Sequence, residues 1–137
     1  MDEWIIPEKE ESEVRLMNPL VWAYIGDNVY ELYIRTNLVN QTSLKVHELH
    51  VKAIQYVKAA AQARVLREIE EILTEEEKDI VRRTRNTKNH HIPKNADPAD
   101  YMYATAFEGL IGYLFLTKQK TRLKELLEKA LIILKEK

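Results

Sequence analysis

Two carboxylates sit where a helix would ordinarily place apolar side chains. Asp27 lies within Leu20–Ile34 (LVWAYIGDNVYELYI), and Glu108 at the centre of Tyr103–Leu116 (YATAFEGLIGYLFL). Leu20, Ala23, Tyr24 and Ile34 recur at helical spacing around the first, and Ala104, Ile111 and Phe115 around the second. A carboxylate on such a stripe needs a cation or hydrogen-bond partners, because burying it alone is too costly. The three glycines of the chain, Gly26, Gly109 and Gly112, all lie beside these two acids. A glycine inside a helix costs about 1 kcal/mol against alanine, so the placement predicts close approach of two helix backbones. The expectation is that Asp27 and Glu108 meet across that contact and hold a divalent metal. The competing expectation is that each pairs with an arginine or a buried tyrosine hydroxyl. Oxygen ligands without cysteine suit a hard ion, Mg²⁺ or Mn²⁺. Such an ion can polarise a phosphate and lower the pKa of a bound water. Mg²⁺ commonly keeps several waters, so two carboxylates can suffice as protein ligands.

A second feature with chemical meaning is a run of basic residues. The net charge of −1 conceals it. Residues 2–13 carry six acids against Lys9, whereas residues 82–95 (RRTRNTKNHHIPKN) carry Arg82, Arg83, Arg85, Lys88 and Lys94 with no acid. Guanidinium forks match phosphate geometry, and each neutralised phosphate adds a salt-dependent increment of affinity. The segment 82–97 is therefore expected to be a basic loop that contacts an anionic ligand; a merely solvated loop is the plainer reading. Glu31, one turn after Asp27, can support the acidic site, pair with Arg35 or lie at a subunit contact. Lys58 can reach the acids as a phosphate or water contact, or extend to solvent. His47 and His50, three apart on a helix, could hold a metal, but without a third ligand of matching type they read as structural or surface residues. His90 and His91 fall in the basic loop, where they can touch an anionic ligand or donate protons, and the plainer reading is that they are exposed. The aromatic residues read as core and interface rather than as a base-stacking platform.

The elements that must position these residues read as helices throughout. Asn18-Pro19 is a helix start, and that helix should run to about Asn40. Thr42-Ser43 is expected to cap a helical region from Leu44 to Leu73, bent or broken near Ala53–Tyr56. Thr74 and Glu77 form a capping box for a short helix that turns basic at Arg82. Asp97-Pro98 restarts a helix carrying Glu108 to about Thr117–Lys120, and Thr121 can cap the last one. Near the start, Pro7 interrupts any early helix, and Val14, Leu16 and Met17 are expected to dock. Four prolines, 45% hydrophobic residues and no alternating strand pattern point to an all-α bundle, one domain over 1–137. The absence of cysteine excludes disulfides and thiolate metal sites. The acidic start lacks the pattern of a signal peptide, and no apolar run reaches the roughly 20 residues of a membrane span, which leads to the expectation of a cytoplasmic protein.

The stretches Ala23-Tyr24-Ile25-Gly26-Asp27 and Thr105–Gly112 (TAFEGLIG) resemble the two acidic signatures of the ribonuclease III catalytic domain. The resemblance is closer to its short form, Mini-ribonuclease III. It extends over Tyr24–Arg35, Val57-Lys58-Ala59 with Gln62-Ala63, Arg85-Asn86, Pro93-Lys94-Asn95 and Thr105–Leu116, essentially the whole chain. Leu20, Ala23 and Thr105 stand where the longer enzymes carry further acids, and Mini-ribonuclease III is similar in having the reduced set.

The resemblance implies a ribonuclease III-like helical bundle and a Mg²⁺-dependent homodimeric endoribonuclease that cuts double-stranded RNA. It implies a role in maturing the 23S large-subunit ribosomal RNA precursor, with a ribosomal protein as a possible presenter of substrate. Asp27 and Glu108 would be the metal-binding catalytic pair, and the basic segment would replace part of the grip of the absent double-stranded-RNA-binding domain. Two alternatives are carried forward: a catalytically silent assembly factor that binds structured RNA, and an all-α nucleotide pyrophosphohydrolase.

Overall fold

The computed structural model describes residues 5–88 and 92–136, and seven α-helices make up most of it. They are α1 (Glu11–Arg15), α2 (Pro19–Gln41), α3 (Val46–Val57), α4 (Ala59–Ile69), α5 (Glu75–Asn86), α6 (Pro98–Leu116) and α7 (Lys120–Lys135), with a 3₁₀ turn at Glu70–Ile72 after α4. No strand occurs among the described residues, and the all-α expectation holds.

The helix starts follow local chemistry. Asn18 accepts from the Leu20 N–H at 2.9 Å, and Asp97 accepts from the Ala99 N–H at 2.9 Å, each with proline next in the chain. Thr74 and Glu77 form the expected reciprocal box, at 2.9 and 3.1 Å. Elsewhere the starts shift. α3 is capped from Lys45, whose N–H is accepted by Glu48 at 3.1 Å, while Thr42 turns its hydroxyl back onto Leu38 O. α7 begins after Gln119, which leaves Thr121 inside the helix. The break between α3 and α4 falls at Lys58, whose extended backbone (ψ 155°) separates them, later than Ala53–Tyr56. Val14 is buried and Met17 packs beside it, but Leu16 points to solvent.

α6 is buried around most of its circumference, through Ala104, Ala106, Phe107, Leu110, Ile111, Tyr113 and Leu114. It is the central rod, and α2, α4, α5 and α7 pack around it. Edge-to-face ring pairs link Trp22 with Tyr113 (5.3 Å) and Tyr30 with Phe107 (5.2 Å). The early turns of α2 thus meet the late turns of α6, so the two helices run antiparallel.

One buried ion pair ties α5 to α7. Arg122 donates from Nε and Nη2 to the two Glu77 oxygens, each at 2.9 Å, and Nη2 also reaches Ile72 O at 2.8 Å. Burial opposes ionisation of Glu77, but the Arg122 donors and the Thr74 N–H outweigh it and hold its pKa below the usual 4.5. Removing one partner of a buried pair costs roughly 3–5 kcal/mol, and the partial exposure of Arg122 reduces the expected loss for Glu77→Gln to about 2 kcal/mol. A depressed carboxylate pKa contributes stability above the unfolded value and loses it as pH falls through the folded one. Acid melts of wild type should therefore lose stability below about pH 4.5 more steeply than those of Glu77→Gln.

Candidate active site

The site is made where α2 crosses α6. A Cβ built on Gly26 would lie 1.8 Å from the backbone oxygen of Glu108, and one on Gly112 would lie 1.8 Å from the backbone oxygen of Trp22. The two helices therefore touch backbone to backbone, each through a glycine of its own. Gly109 makes a third close approach, toward the Thr84 side chain on α5. Asp27 follows Gly26 directly, and Glu108 is the residue that Gly26 abuts. The crossing thus brings the two acids together, as their spacing predicts.

Their environments differ. Asp27 is exposed, whereas Glu108 is half-buried. Burial pushes the Glu108 pKa up to about 8, and the charge and hydrogen-bonding proximity of Asp27 add to the rise. The Gln62 side chain works in the opposite direction: its Nε2 donates to Glu108 Oε2 at 3.1 Å. Among the described residues, the side chain that donates to Glu108 is Gln62 and not the arginine or tyrosine of the competing expectation. Tyr30 spends its hydroxyl on Tyr56 O at 2.8 Å, and burial raises its pKa. Two carboxylates pressed together in a half-buried site, one of them unable to ionise easily, form a donor set that a small hard cation would relieve.

Glu31 pairs with Arg35 and also adds to the negative field on Glu108. Lys58 is exposed at the α3–α4 break and donates to Gln55 at 3.1 Å rather than to either acid. No group of three or more metal-ligating His, Cys, Asp or Glu side chains occurs among the described residues, and His47 and His50 are exposed. His90 and His91 lie outside the described residues. Ala23 is buried, and Thr105 turns its hydroxyl to Tyr101 O at 2.9 Å. Neither substitutes for an acid.

The basic segment divides. Arg82, Arg83 and Arg85 are on the last turns of α5 rather than in a loop, because Ile80, Val81 and Thr84 keep that helix packed to Asn86. Arg82 pairs with Asp79 on the surface. Arg83 donates to Arg15 O at 2.8 Å and lies over the Trp22 ring at 4.9 Å. Arg85 stands 5.8 Å from the Tyr103 ring centre. Arg85 and Lys88, with Tyr101 and Thr105, line a cleft of about 440 Å³ between the end of α5 and the start of α6. Thr105, on the wall of this cleft, is one turn before Glu108 on α6. Lys94 is exposed beyond it.

Gln62 lies in one of the tracts that carry the resemblance, but the sequence gives no sign that it serves the acidic site. It is almost fully buried on α4, and a lone amide at the buried period of that helix (Gln62, Val65, Leu66, Ile69) is the signal it leaves in the sequence.

Comparison with known proteins agrees with this geometry. The family model described as Ribonuclease III domain matches residues 20–119. A Mini-ribonuclease 3 of Thermoanaerobacter sp. is 49% identical over 88% of this chain and 84% of its own length. That of Staphylococcus aureus is 39% identical over 94% of this chain and 98% of its own. A crystal structure of a Fusobacterium nucleatum protein superposes with a TM-score of 0.79 at 28% identity, covering 88% of this chain and 96% of that one. With the acidic pair, its glycine crossing and the all-α bundle in place, the chain belongs to the ribonuclease III family, in its Mini-ribonuclease 3 branch, and is an endoribonuclease acting on RNA.

Proposed function

We propose that the chain is a Mg²⁺-dependent endoribonuclease that cuts double-stranded RNA, with Asp27 and Glu108 as the residues that hold the ion. The observation that carries this reading is the backbone contact of α2 with α6 at Gly26 and Gly112, which sets the exposed Asp27 beside the half-buried Glu108; burial and the neighbouring Asp27 push the Glu108 pKa up to about 8. A bound divalent ion supplies charge for the phosphate and a more acidic water as nucleophile. Asp27, on the exposed side, faces incoming RNA, and Glu108 anchors the site to the core through Gln62. Mn²⁺ fits the same oxygen ligands. The pyrophosphohydrolase reading has no support, since no cluster of acids gathers here among the described residues.

RNA is gripped, in this reading, through its phosphates by Arg85 and Lys88 at the cleft and by Lys94 beyond it. Arg82 joins them, because an exposed pair such as that with Asp79 is worth only about 0–1 kcal/mol and a phosphate can displace it. Arg83 contributes charge while staying seated on Trp22. A-form RNA is recognised by shape, phosphates and 2′-hydroxyls, which such a surface suits. Replacing both Arg85 and Lys88 by alanine should weaken duplex binding and reduce the slope of log affinity against log salt by about 2. Unchanged affinity across a salt series would remove these residues from the interface.

The working form is a homodimer with one site per strand. In support, the outer stripe of α2 leaves Val21, Tyr24, Leu32 and Val39 exposed, a larger apolar face than a lone helix surface needs. The cellular substrate is the 23S ribosomal RNA precursor in the cytoplasm, with a ribosomal protein presenting it. No helix among the described residues is long and apolar enough to cross a membrane. The deciding experiment incubates a long labelled RNA duplex with the protein in Mg²⁺ and in EDTA. Discrete fragments in Mg²⁺ alone are expected. Fragments that persist in EDTA would end the metal reading, and binding without cleavage in Mg²⁺ would end the enzymatic one.

A further inference from the structure

We propose that Gln62 is a positioning residue for the active site: one amide group ties the Glu108 carboxylate to the break between α3 and α4 and fixes how that carboxylate meets a metal ion. The inference rests on the metal reading of Asp27 and Glu108 and names a component of it that no acid motif contains.

Gln62 Nε2 makes two hydrogen bonds, to Val57 O at 2.8 Å and to Glu108 Oε2 at 3.1 Å. The Val57 carbonyl can only accept, so the amide orientation is determined: a flipped amide would set oxygen against oxygen there. The Val57 carbonyl belongs to the last residue of α3. At the break, the Ala61 and Gln62 N–H groups both return to Lys58 O, at 3.0 and 3.1 Å. The Val57 carbonyl takes its donor from the Gln62 side chain instead. One N–H of the amide is therefore anchored to backbone, and the other is aimed at the carboxylate with little freedom left.

The rest of the side chain argues against a purely structural role. Gln62 is 2% exposed, and its Oε1 is buried without a donor among the described residues. A buried acceptor left unmet is a net cost to the fold, and an apolar side chain of similar shape would avoid it. What an apolar residue could not supply is the N–H aimed at Glu108. Residues that orient a metal's carboxylate or imidazole ligands in this way typically account for 10–100-fold in affinity or activity.

The test titrates Mn²⁺ alone into the metal-free protein, followed by electron paramagnetic resonance, and also measures cleavage against Mg²⁺ concentration. Wild type, Gln62→Met, Gln62→Asn and Glu108→Gln are compared. Gln62→Met keeps the shape and removes the donor; Gln62→Asn keeps the amide but withdraws it by one methylene. Both should weaken Mn²⁺ binding about tenfold or more and raise the half-activating Mg²⁺ concentration in parallel, with KM for RNA little changed. Wild-type Mn²⁺ affinity in whichever of the two retains a cooperative melt overturns the inference. An equal loss in kcat and in RNA binding with unaltered Mn²⁺ affinity also overturns it, since that pattern marks general disturbance. Wild type that binds no Mn²⁺ ends this inference together with the metal reading. Loss of binding in Glu108→Gln with none in the Gln62 variants leaves the metal reading standing and removes Gln62 alone.

Discussion

Glu108→Gln and Asp27→Asn should each lower duplex cleavage by at least about a thousandfold while leaving a folded protein. Both substitutions keep the shape of the side chain and remove its charge, so what is lost is the donor set, not the helix crossing. The two should differ in stability. Glu108 titrates near 8 in the fold against 4.5 when free, because burial and then Asp27 disfavour its charge. Between those values the native state holds more protons than the unfolded one, so stability falls as pH rises. The metal-free protein should thus be most stable on the acid side of that window and lose on the order of 3 kcal/mol across it. Glu108→Gln abolishes the dependence and should melt higher than wild type at about pH 8 in EDTA. Asp27→Asn shrinks the dependence without removing it, since burial is the larger cause. Thermal melts in EDTA from about pH 5 to 9 measure this directly. A flat wild-type profile would mean that Glu108 ionises freely and that the acids are not in conflict. Added Mg²⁺ should restabilise wild type at the alkaline end and leave Glu108→Gln unmoved.

The second large effect is on the crossing itself. Gly26→Ala and Gly112→Ala each place a Cβ 1.8 Å from a backbone oxygen, Glu108 O in one case and Trp22 O in the other. No side chain can rotate away, so the helices must separate. Overpacking a core costs typically 1–3 kcal/mol, and a backbone-to-backbone clash should reach or exceed the upper figure, about 3 kcal/mol, after the gain of about 1 kcal/mol in helix propensity. Because Asp27 and Glu108 move with their backbones, activity should fall further than the melting temperature suggests. Gly109→Ala is the internal control. Its Cβ meets the Thr84 side chain at 2.6 Å, and a side chain can give more readily than a helix axis. It should cost less than either crossing glycine. Equal losses at all three positions would deny the special status of the crossing.

What the sequence made legible follows from the range of the forces involved. Asn18-Pro19, Asp97-Pro98 and the Thr74–Glu77 box act over three or four residues, and each starts a helix where expected. The glycines beside Asp27 and Glu108 could be read because glycine inside a helix carries a cost that needs a reason. The features that were not legible depend on groups distant in the chain. The break at Lys58 has neither glycine nor proline; it is accompanied by a side chain five residues beyond Val57 that also serves an acid 46 residues further on. Arg83 read as part of a basic loop that contacts an anionic ligand, yet the Arg15 carbonyl and the Trp22 ring, both more than 60 residues earlier in the chain, hold it. Gln62 stood in a matching tract without a role, since that role exists only once α4 lies against α6.

The α3–α4 break also gives the molecule an unequal distribution of local stability. α3 buries only Ala53 and Tyr56 and leaves Val46, Val51 and Ile54 facing outward, so among the long helices it has least to lose by opening. Its final carbonyl, at Val57, is where Gln62 is moored, and the Tyr56 carbonyl beside it holds the Tyr30 hydroxyl. Transient opening of α3 would therefore release both tethers beneath Glu108 while α2 and α6 stay crossed. Amide hydrogen exchange should find α3 protected least among the long helices, and a dimer partner or RNA that clamps it should slow exchange there and steady the acid a helix away.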